Sequence, residues 1–506
     1  MTSAALSGTA ALFLGIATVF GFAPFGVSAL PALTLAGLFF LWQGAPSPRH
    51  AAAQGFAFGL GLFGAGVSWV YIALSAFGEM PAILAAIGTA GFCAYLALFP
   101  ACAGWMCARF APPGGPERLA LAAAAWTVGE WLRGWVLSGF GWLSIGYAQL
   151  GTPLAGFAPY GGVFLASLAL AGVAALLLYA MQAFAARRRL AVAAAAATIV
   201  ALCVTGAALS AIEWSRPAGD PVAVSLVQGN IEQERKFDPA FHDKTLAIYA
   251  DLVQGARGRL VVLPESALPM FADEVPPEYV ASLREVALRN NGDLLFGLFF
   301  FEPRPSPDED DRYFNSVVSV GTATAQRYRK HHLVPFGEMI PGKTVFGWFI
   351  NKVLHIPLAD QTPGPAYQAP FEVAGERIAV NICYEDAFGA ELAPRAVEAT
   401  LLVNVTNDAW YGHSLAAEQH EQIAAMRALE TARPMLRATN TGITSIIDHH
   451  GVEVARLPWF TRGVLEGRIA GRTGTTPYVR LGDALAVIAA LLLAAATLLP
   501  SRLRAR

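Results

Sequence analysis

Long apolar runs separated by short polar breaks fill the chain from Met1 to Ile212, a mixed polar stretch follows, and one more apolar run precedes a basic tail. A membrane-crossing helix needs about 20 predominantly apolar residues, within a range of about 17–25. Seven segments before Glu213 meet or approach that length, over residues 6–22, 27–43, 55–75, 81–108, 119–136, 161–184 and 190–212, and residues 484–499 form an eighth. In the polar stretch the period changes. Short β-branched runs bounded by turn residues predict strands over 221–227, 259–263, 293–301, 316–320, 377–382 and 400–405, with helical spacing over 238–256, 279–290 and 416–432. The pattern predicts an α-helical membrane bundle of about eight transmembrane helices joined to an α/β domain, divided as 1–212, 213–480 and 481–506.

Composition strengthens the membrane half of this reading. Hydrophobic residues make up 55% of the chain and mean hydropathy is +0.47, above the roughly 45–50% apolar content of ordinary soluble domains. Charge sets the orientation, because cytoplasmic loops are enriched in Lys and Arg. With the N-terminus inside, Arg49, Arg109, Arg118, Arg187, Arg188, Arg189 and the arginine tail all fall on the cytoplasmic side. Seven crossings then place the polar domain outside the cytoplasm. The first apolar run lacks a basic start and a small-residue cleavage site, so it reads as a retained span. The whole chain carries a formal charge of −2, and the external part about −7, which offers no footprint for nucleic acid.

Candidate chemistry is concentrated in the polar domain. Four of the five cysteines, Cys93, Cys102, Cys107 and Cys203, sit within apolar runs and read as small buried hydrophobes; Cys383 stands alone in the external domain. An unpaired thiol in an oxidising compartment is a liability unless it is used. Glu265 follows an apolar run and a proline, where it emerges at a strand end, and Lys330 lies in the basic stretch Arg327 to His332. Each has a plainer competing reading: a solvated strand-end carboxylate, a solvated basic face, a buried thiol. Together they meet the needs of acyl transfer, with a thiol nucleophile, a carboxylate base and a cation that, with the backbone N–H of Tyr384, stabilises the developing oxyanion. The pairs His331-His332 and His449-His450 lack further ligands at ordered spacing, so no metal and no cofactor is expected.

The order Glu, Lys, Cys at successive strand ends resembles the nitrilase superfamily, which implies an αββα sandwich. The resemblance narrows with Leu226-Val227-Gln228-Gly229-Asn230, Leu333-Val334-Pro335-Phe336-Gly337-Glu338, Cys383-Tyr384-Glu385-Asp386, Thr406-Asn407-Asp408-Ala409-Trp410-Tyr411-Gly412 and Arg437-Ala438-Thr439-Asn440. These, with Ser68-Trp69-Val70-Tyr71 and Glu130-Trp131-Leu132-Arg133 in the apolar half, look like the bacterial apolipoprotein N-acyltransferase family. One departure is Phe237 before Asp238-Pro239, where that family carries tryptophan.

The resemblance implies a multi-pass protein of the bacterial inner membrane, monomeric, with its catalytic domain on the periplasmic side. It implies a phospholipid acyl donor, a thioester on Cys383 and the N-terminal diacylglyceryl cysteine of an apolipoprotein as acceptor. Glu338 would orient Lys330 or polarise the amine, and Glu385 would support the thiol loop; structural ion pairs are the alternative for both. Phe237, Trp348, Phe349, Trp410 and Tyr411 are expected as lipid-facing wall or lid residues, against the alternative of core aromatics or an interfacial belt. Two other classes stay open on the residues alone: a membrane-tethered amidase, and a transporter or structural membrane protein with an inactive external domain.

Overall fold

A computed structural model describes residues 3–78, 80–304, 311–339 and 360–503. The chain forms two compact units. One comprises Met1–Tyr71, Ala82–Glu213 and Leu481–Arg506; the other comprises Ile72–Pro81 and Trp214–Arg480.

The first unit is helical. Helices at Ser3–Thr18, Leu30–Gln43, Pro48–Gly66, Ala82–Phe110, Pro116–Arg133, Ala158–Ala185, Arg189–Ser210 and Ala484–Leu503 coincide in position with the expected apolar segments. Among the described residues, three stretches are long and apolar enough to cross a membrane: Ala82–Phe110, Pro153–Ala185 and Arg189–Ser210. A fourth counts if Pro48–Gly66 and Val70–Phe77, bent by 61°, form one span. The others are shorter or, in Pro116–Arg133, interrupted by Glu117, Arg118, Glu130 and Arg133. Small residues let the helices approach closely. A Cβ on Gly15 would lie 2.0 Å from the carbonyl oxygen of Phe58, and one on Gly61 would lie 2.1 Å from that of Leu12, so both positions require glycine. Glu130 and Arg133 both serve the loop that follows their helix. Arg133 donates to the carbonyls of Phe140 and Trp142, and Glu130 accepts from the Ile145 N–H at 2.9 Å. Both side chains thus reach beyond the helix that carries them.

In the second unit, two six-stranded sheets stack face to face. The first runs in the order Gly463–Ile469, Val222–Gln228, Leu260–Val262, Asp293–Glu302, Arg312–Gly321, Arg327–Arg329. Its parallel centre is buried on both faces, with Leu260, Val261 and Val262 each 0% exposed, which explains why these strands read as continuous apolar runs. Helices His242–Gly255 and Pro277–Arg289 cover its outer face through Tyr249, Val253, Leu283 and Val286. The second sheet runs Glu453–Arg456, Ser445–Ile447, Met435–Thr439, Leu401–Thr406, Glu376–Ile382, Phe371–Val373, with helices Gly389–Ala396 and Ala416–Thr431 beside it. Between the sheets the packing is tight: a Cβ on Gly467 would come within 2.3 Å of the Ile446 side chain. Helix, sheet, sheet and helix form the nitrilase-like sandwich.

The strands at Arg327–Arg329, Phe371–Val373, Met435–Thr439, Ser445–Ile447, Glu453–Arg456 and Gly463–Ile469 lie outside the predicted set. Most are short or sit at sheet edges, where exposed charged positions blur the period-2 signal. The segment Ile72–Pro81, drawn from the apolar half, belongs to this unit. Its Phe77 ring meets Trp410 edge-on at 6.0 Å, and Ile72 lies against Gly412.

Candidate active site

Parallel strands deliver their C-terminal ends to one place. Glu265 emerges just beyond Leu260–Val262, Cys383 immediately after Glu376–Ile382, and Lys330 just after the edge strand Arg327–Arg329. All three are buried, at 6%, 7% and 1% exposure. Lys330 Nζ donates to Glu338 Oε1 at 2.7 Å and lies 3.4 Å from Glu265 Oε1. Asn315, absent from the sequence-based candidates, bridges the group: its Nδ2 donates to Glu265 Oε1 at 2.8 Å and its carbonyl accepts the Lys330 backbone N–H at 2.8 Å.

The three acids near the lysine and thiol differ in what is left over. Glu338 Oε2 accepts the Val334 N–H at 2.9 Å, which folds the Val334–Met339 loop back on itself. Glu385 is fully engaged, accepting from the N–H groups of Ile382 and His331, each at 2.7 Å, and from the Tyr328 hydroxyl at 2.9 Å. Among the described residues, Glu265 Oε2 accepts no hydrogen bond. Glu265 alone keeps a carboxylate oxygen available to take a proton.

Cys383 sits at a strained turn. Its φ of 52° lies in the left-handed region, a conformation that costs a non-glycine residue roughly 1–3 kcal/mol and persists only where its surroundings impose it. Its carbonyl accepts from Asn404 Nδ2 at 3.1 Å and lies 3.3 Å from His420 Nε2. Burial pushes the thiol well above its ordinary range, the Glu265 carboxylate pushes it further, and Lys330 opposes them. The thiol is therefore protonated at neutral pH and needs a base. Burial works against the charge of Lys330, but Glu338 and then Glu265 hold its ammonium well above the usual lysine range. Burial raises the Glu338 carboxyl while Lys330 draws it back.

A second buried lysine lies against the Glu265 backbone. Lys236 Nζ donates to the backbone carbonyl of Glu265 at 2.9 Å, and burial lowers its pKa to about 8 despite the pull of Glu265. It sits at the end of a loop held by an amide ladder. Asn440 Oδ1 accepts the Ile231 N–H at 2.9 Å, Asn440 Nδ2 donates to Asn407 Oδ1 at 2.9 Å, and Asn407 Nδ2 donates to Gln233 Oε1 at 2.8 Å. The asparagines of two sequence motifs, Asn407 and Asn440, thus act as structural ties across the strand ends.

Of the expected aromatics, Phe237 packs against Phe299 with centroids 6.2 Å apart and lies beside the Lys236 ammonium. Burial pushes the Tyr411 phenol well up, with the charge of Cys383 as the next contributor. Trp410 meets Phe77, as above. Tyr384 packs edge-on against Phe388 and His332. Trp348 and Phe349 lie outside the described residues. Aside from Asn315 and Lys236, sequence reasoning missed a buried cluster under the elbow, formed by His420, Asp386, Asp408 and Arg437. Three of these lie in the motifs quoted above, but His420 is one residue of an unremarkable helix and carried no signal.

A buried thiol, a carboxylate with a free oxygen and a lysine on a two-sheet sandwich define a carbon–nitrogen hydrolase-type domain. Residues 223–478 match the family described as Carbon-nitrogen hydrolase, and residues 14–176 match the Apolipoprotein N-acyltransferase N-terminal domain. An apolipoprotein N-acyltransferase of Nitrosomonas europaea is 47% identical over 494 residues, covering 96% of each chain. One of Methylococcus capsulatus is 45% identical, covering 94% of this chain and 92% of its own, and one of Ralstonia nicotianae is 44% identical, covering 96% and 92%. The chain belongs to the apolipoprotein N-acyltransferase family, as an acyltransferase with a membrane part.

Proposed function

We propose that this enzyme N-acylates the N-terminal S-diacylglyceryl cysteine of apolipoproteins, with a phospholipid as acyl donor, the sn-1 chain of phosphatidylethanolamine foremost, through a thioester on Cys383. The observation that carries the assignment of roles is the contrast among the acids: Glu265 keeps an oxygen free while Glu338 and Glu385 are committed. In the first half-reaction Glu265 takes the thiol proton as sulfur attacks the ester carbonyl. Lys330, with the Tyr384 backbone N–H, stabilises the oxyanion. The C–O bond then breaks, and the proton held by Glu265 passes to the departing lysophospholipid oxygen. In the second, the acceptor amine attacks the thioester, Glu265 takes its proton and returns it to the leaving thiolate, and the amide departs.

Withdrawing a sixteen-carbon chain into water costs on the order of 12 kcal/mol at about 0.8 kcal/mol per CH₂, so the chemistry belongs beside a bilayer. The proposal accordingly includes about eight spans, a monomer in the bacterial inner membrane, a domain division near residues 212 and 480, and a periplasmic catalytic domain. Phe237, Trp410 and Tyr411 are proposed to contact lipid.

The deciding experiment is to incubate the protein with phosphatidylethanolamine and analyse it by mass spectrometry. A hydroxylamine-labile acyl group on Cys383, discharged as an N-acyl product when a diacylglyceryl peptide is added, is expected. Hydrolysis to free fatty acid without N-acylation would instead establish a hydrolase.

A further inference from the structure

Beneath the thiol, four side chains from four elements meet out of contact with water. His420 comes from the Ala416–Thr431 helix, Asp386 from the Cys383–Ala387 turn, Asp408 from the Asp408–Tyr411 turn and Arg437 from the Met435–Thr439 strand. His420 Nδ1 lies 2.8 Å from Asp408 Oδ1, and His420 Nε2 lies 2.9 Å from Asp386 Oδ1. Arg437 spans the same two acids, donating to Asp408 Oδ2 at 2.9 Å and Asp386 Oδ2 at 3.3 Å. The side chains are 0–2% exposed. Two carboxylates and one guanidinium leave a buried negative charge unless the ring is also a cation, and both ring nitrogens face carboxylate oxygens, which requires both to carry protons. The raised pKa of His420, about 9, agrees: burial and Arg437 act against the charge, and Asp386 and Asp408 overcome them.

The third contact of the ring gives the cluster its consequence. Nε2 also lies 3.3 Å from the carbonyl oxygen of Cys383, which Asn404 Nδ2 reaches at 3.1 Å, and Asn404 Oδ1 in turn accepts from Arg437 at 2.7 Å. The peptide immediately after the strained residue is thereby held from below by a charged donor and by an amide locked to the same cluster. We infer that His420 is a positioning residue, a charged imidazolium that holds the Cys383 carbonyl and so keeps the thiol in its left-handed turn facing Glu265 and Lys330. This inference rests on the reading of Cys383 as the nucleophile.

The ring charge is measured in the intact protein in liposomes. Gln419-His420 is the only Gln–His pair in the chain, so ¹³C-carbonyl glutamine with ¹⁵N-histidine labelling isolates its signals in magic-angle-spinning NMR. Two protonated ring nitrogens at pH 7.5 are expected, and a neutral tautomer overturns the inference. Nucleophile geometry is read from the burst of p-nitrophenol released by a short p-nitrophenyl ester, a probe that needs no phospholipid. In His420→Gln the burst rate is expected to fall by about a hundredfold, the scale of a misplaced reacting group, with the half-saturating ester concentration unchanged. A folded variant with a wild-type burst overturns the inference. If that variant does not fold, Asn404→Ala, which removes the other donor to the same carbonyl, is expected to slow the burst, and an unchanged burst again overturns it. A dependence of the burst on His420 together with no acyl transfer from phospholipid would retain the positioning role and reject the proposed function.

Discussion

Glu385 accepts the backbone N–H of His331 at 2.7 Å, so the turn that carries the thiol and the loop that carries Lys330 hang from one carboxylate. The same group takes the N–H of Ile382 and the hydroxyl of Tyr328. Its position two residues after Cys383 invites a chemical role, but its hydrogen bonds make it a strut between sheets. Glu385→Gln turns one acceptor edge into a donor facing donors. Stability is expected to fall by about 2–3 kcal/mol, the scale of buried groups left unsatisfied. Thermal unfolding in detergent measures it, and acyl-enzyme formation is expected to slow in the same variant.

Glu265→Gln is expected to reduce acyl-enzyme formation by about 10²–10⁴-fold, the range for loss of a general base, while the thiol stays intact to alkylation. Glu338→Gln keeps the base and removes the 2.7 Å partner of Lys330, so a smaller loss is expected. Single-turnover acylation of both variants makes the comparison, and equal losses would contradict the division of roles among the acids.

Asn440→Ala cuts three side-chain hydrogen bonds of the amide ladder. The expected outcome is a loss of about 2–3 kcal/mol, accompanied by faster hydrogen exchange in residues 230–237. Exchange confined to the global unfolding limit in that loop would show that the ladder does not hold it.

Glu421 supplies a pH dependence away from the chemistry. Burial, then Glu453, raises its carboxyl to about 7. A carboxyl raised on folding binds its proton more tightly in the native state, so its contribution is fully present below the unfolded value near 4.5 and is lost as pH rises through 7. Glu421→Gln is expected to remove about 1–2 kcal/mol of this slope, given about 1.4 kcal/mol per pKa unit and partial solvent screening. Unfolding midpoints between pH 5 and 8 test it, with activity unchanged at pH 7.

The parts of the molecule that were legible in sequence share one property: their signal is local. Leu260–Val262 and Glu376–Ile382 announce themselves because strands buried on both faces are continuously apolar, and Glu265 and Cys383 stand out as the first polar groups after them. Lys330 was harder to read, because its strand, Arg327–Arg329, looks like a solvated basic run and is a strand only through pairing with Arg312–Gly321. Asn315 and His420 were invisible because their roles depend on neighbours 50 and 34 residues away along the chain. Lys236 was legible as a lysine, but its burial comes from the amide ladder rather than from its flanking sequence. In the apolar half, hydropathy located the helices, while the bend after Gly66 escaped it because the residues on both sides are equally apolar.

Because Ile72–Pro81 packs with the sandwich through Phe77 and Trp410, the catalytic unit is not a single stretch of chain. A fragment cut at Trp214 and Arg480 would leave behind the piece that covers Trp410 and Gly412, exposing an apolar scar on the sandwich. Expression of the sandwich unit therefore calls for that decapeptide to be supplied as well, fused or added in trans, and an excised domain without it is a different molecule.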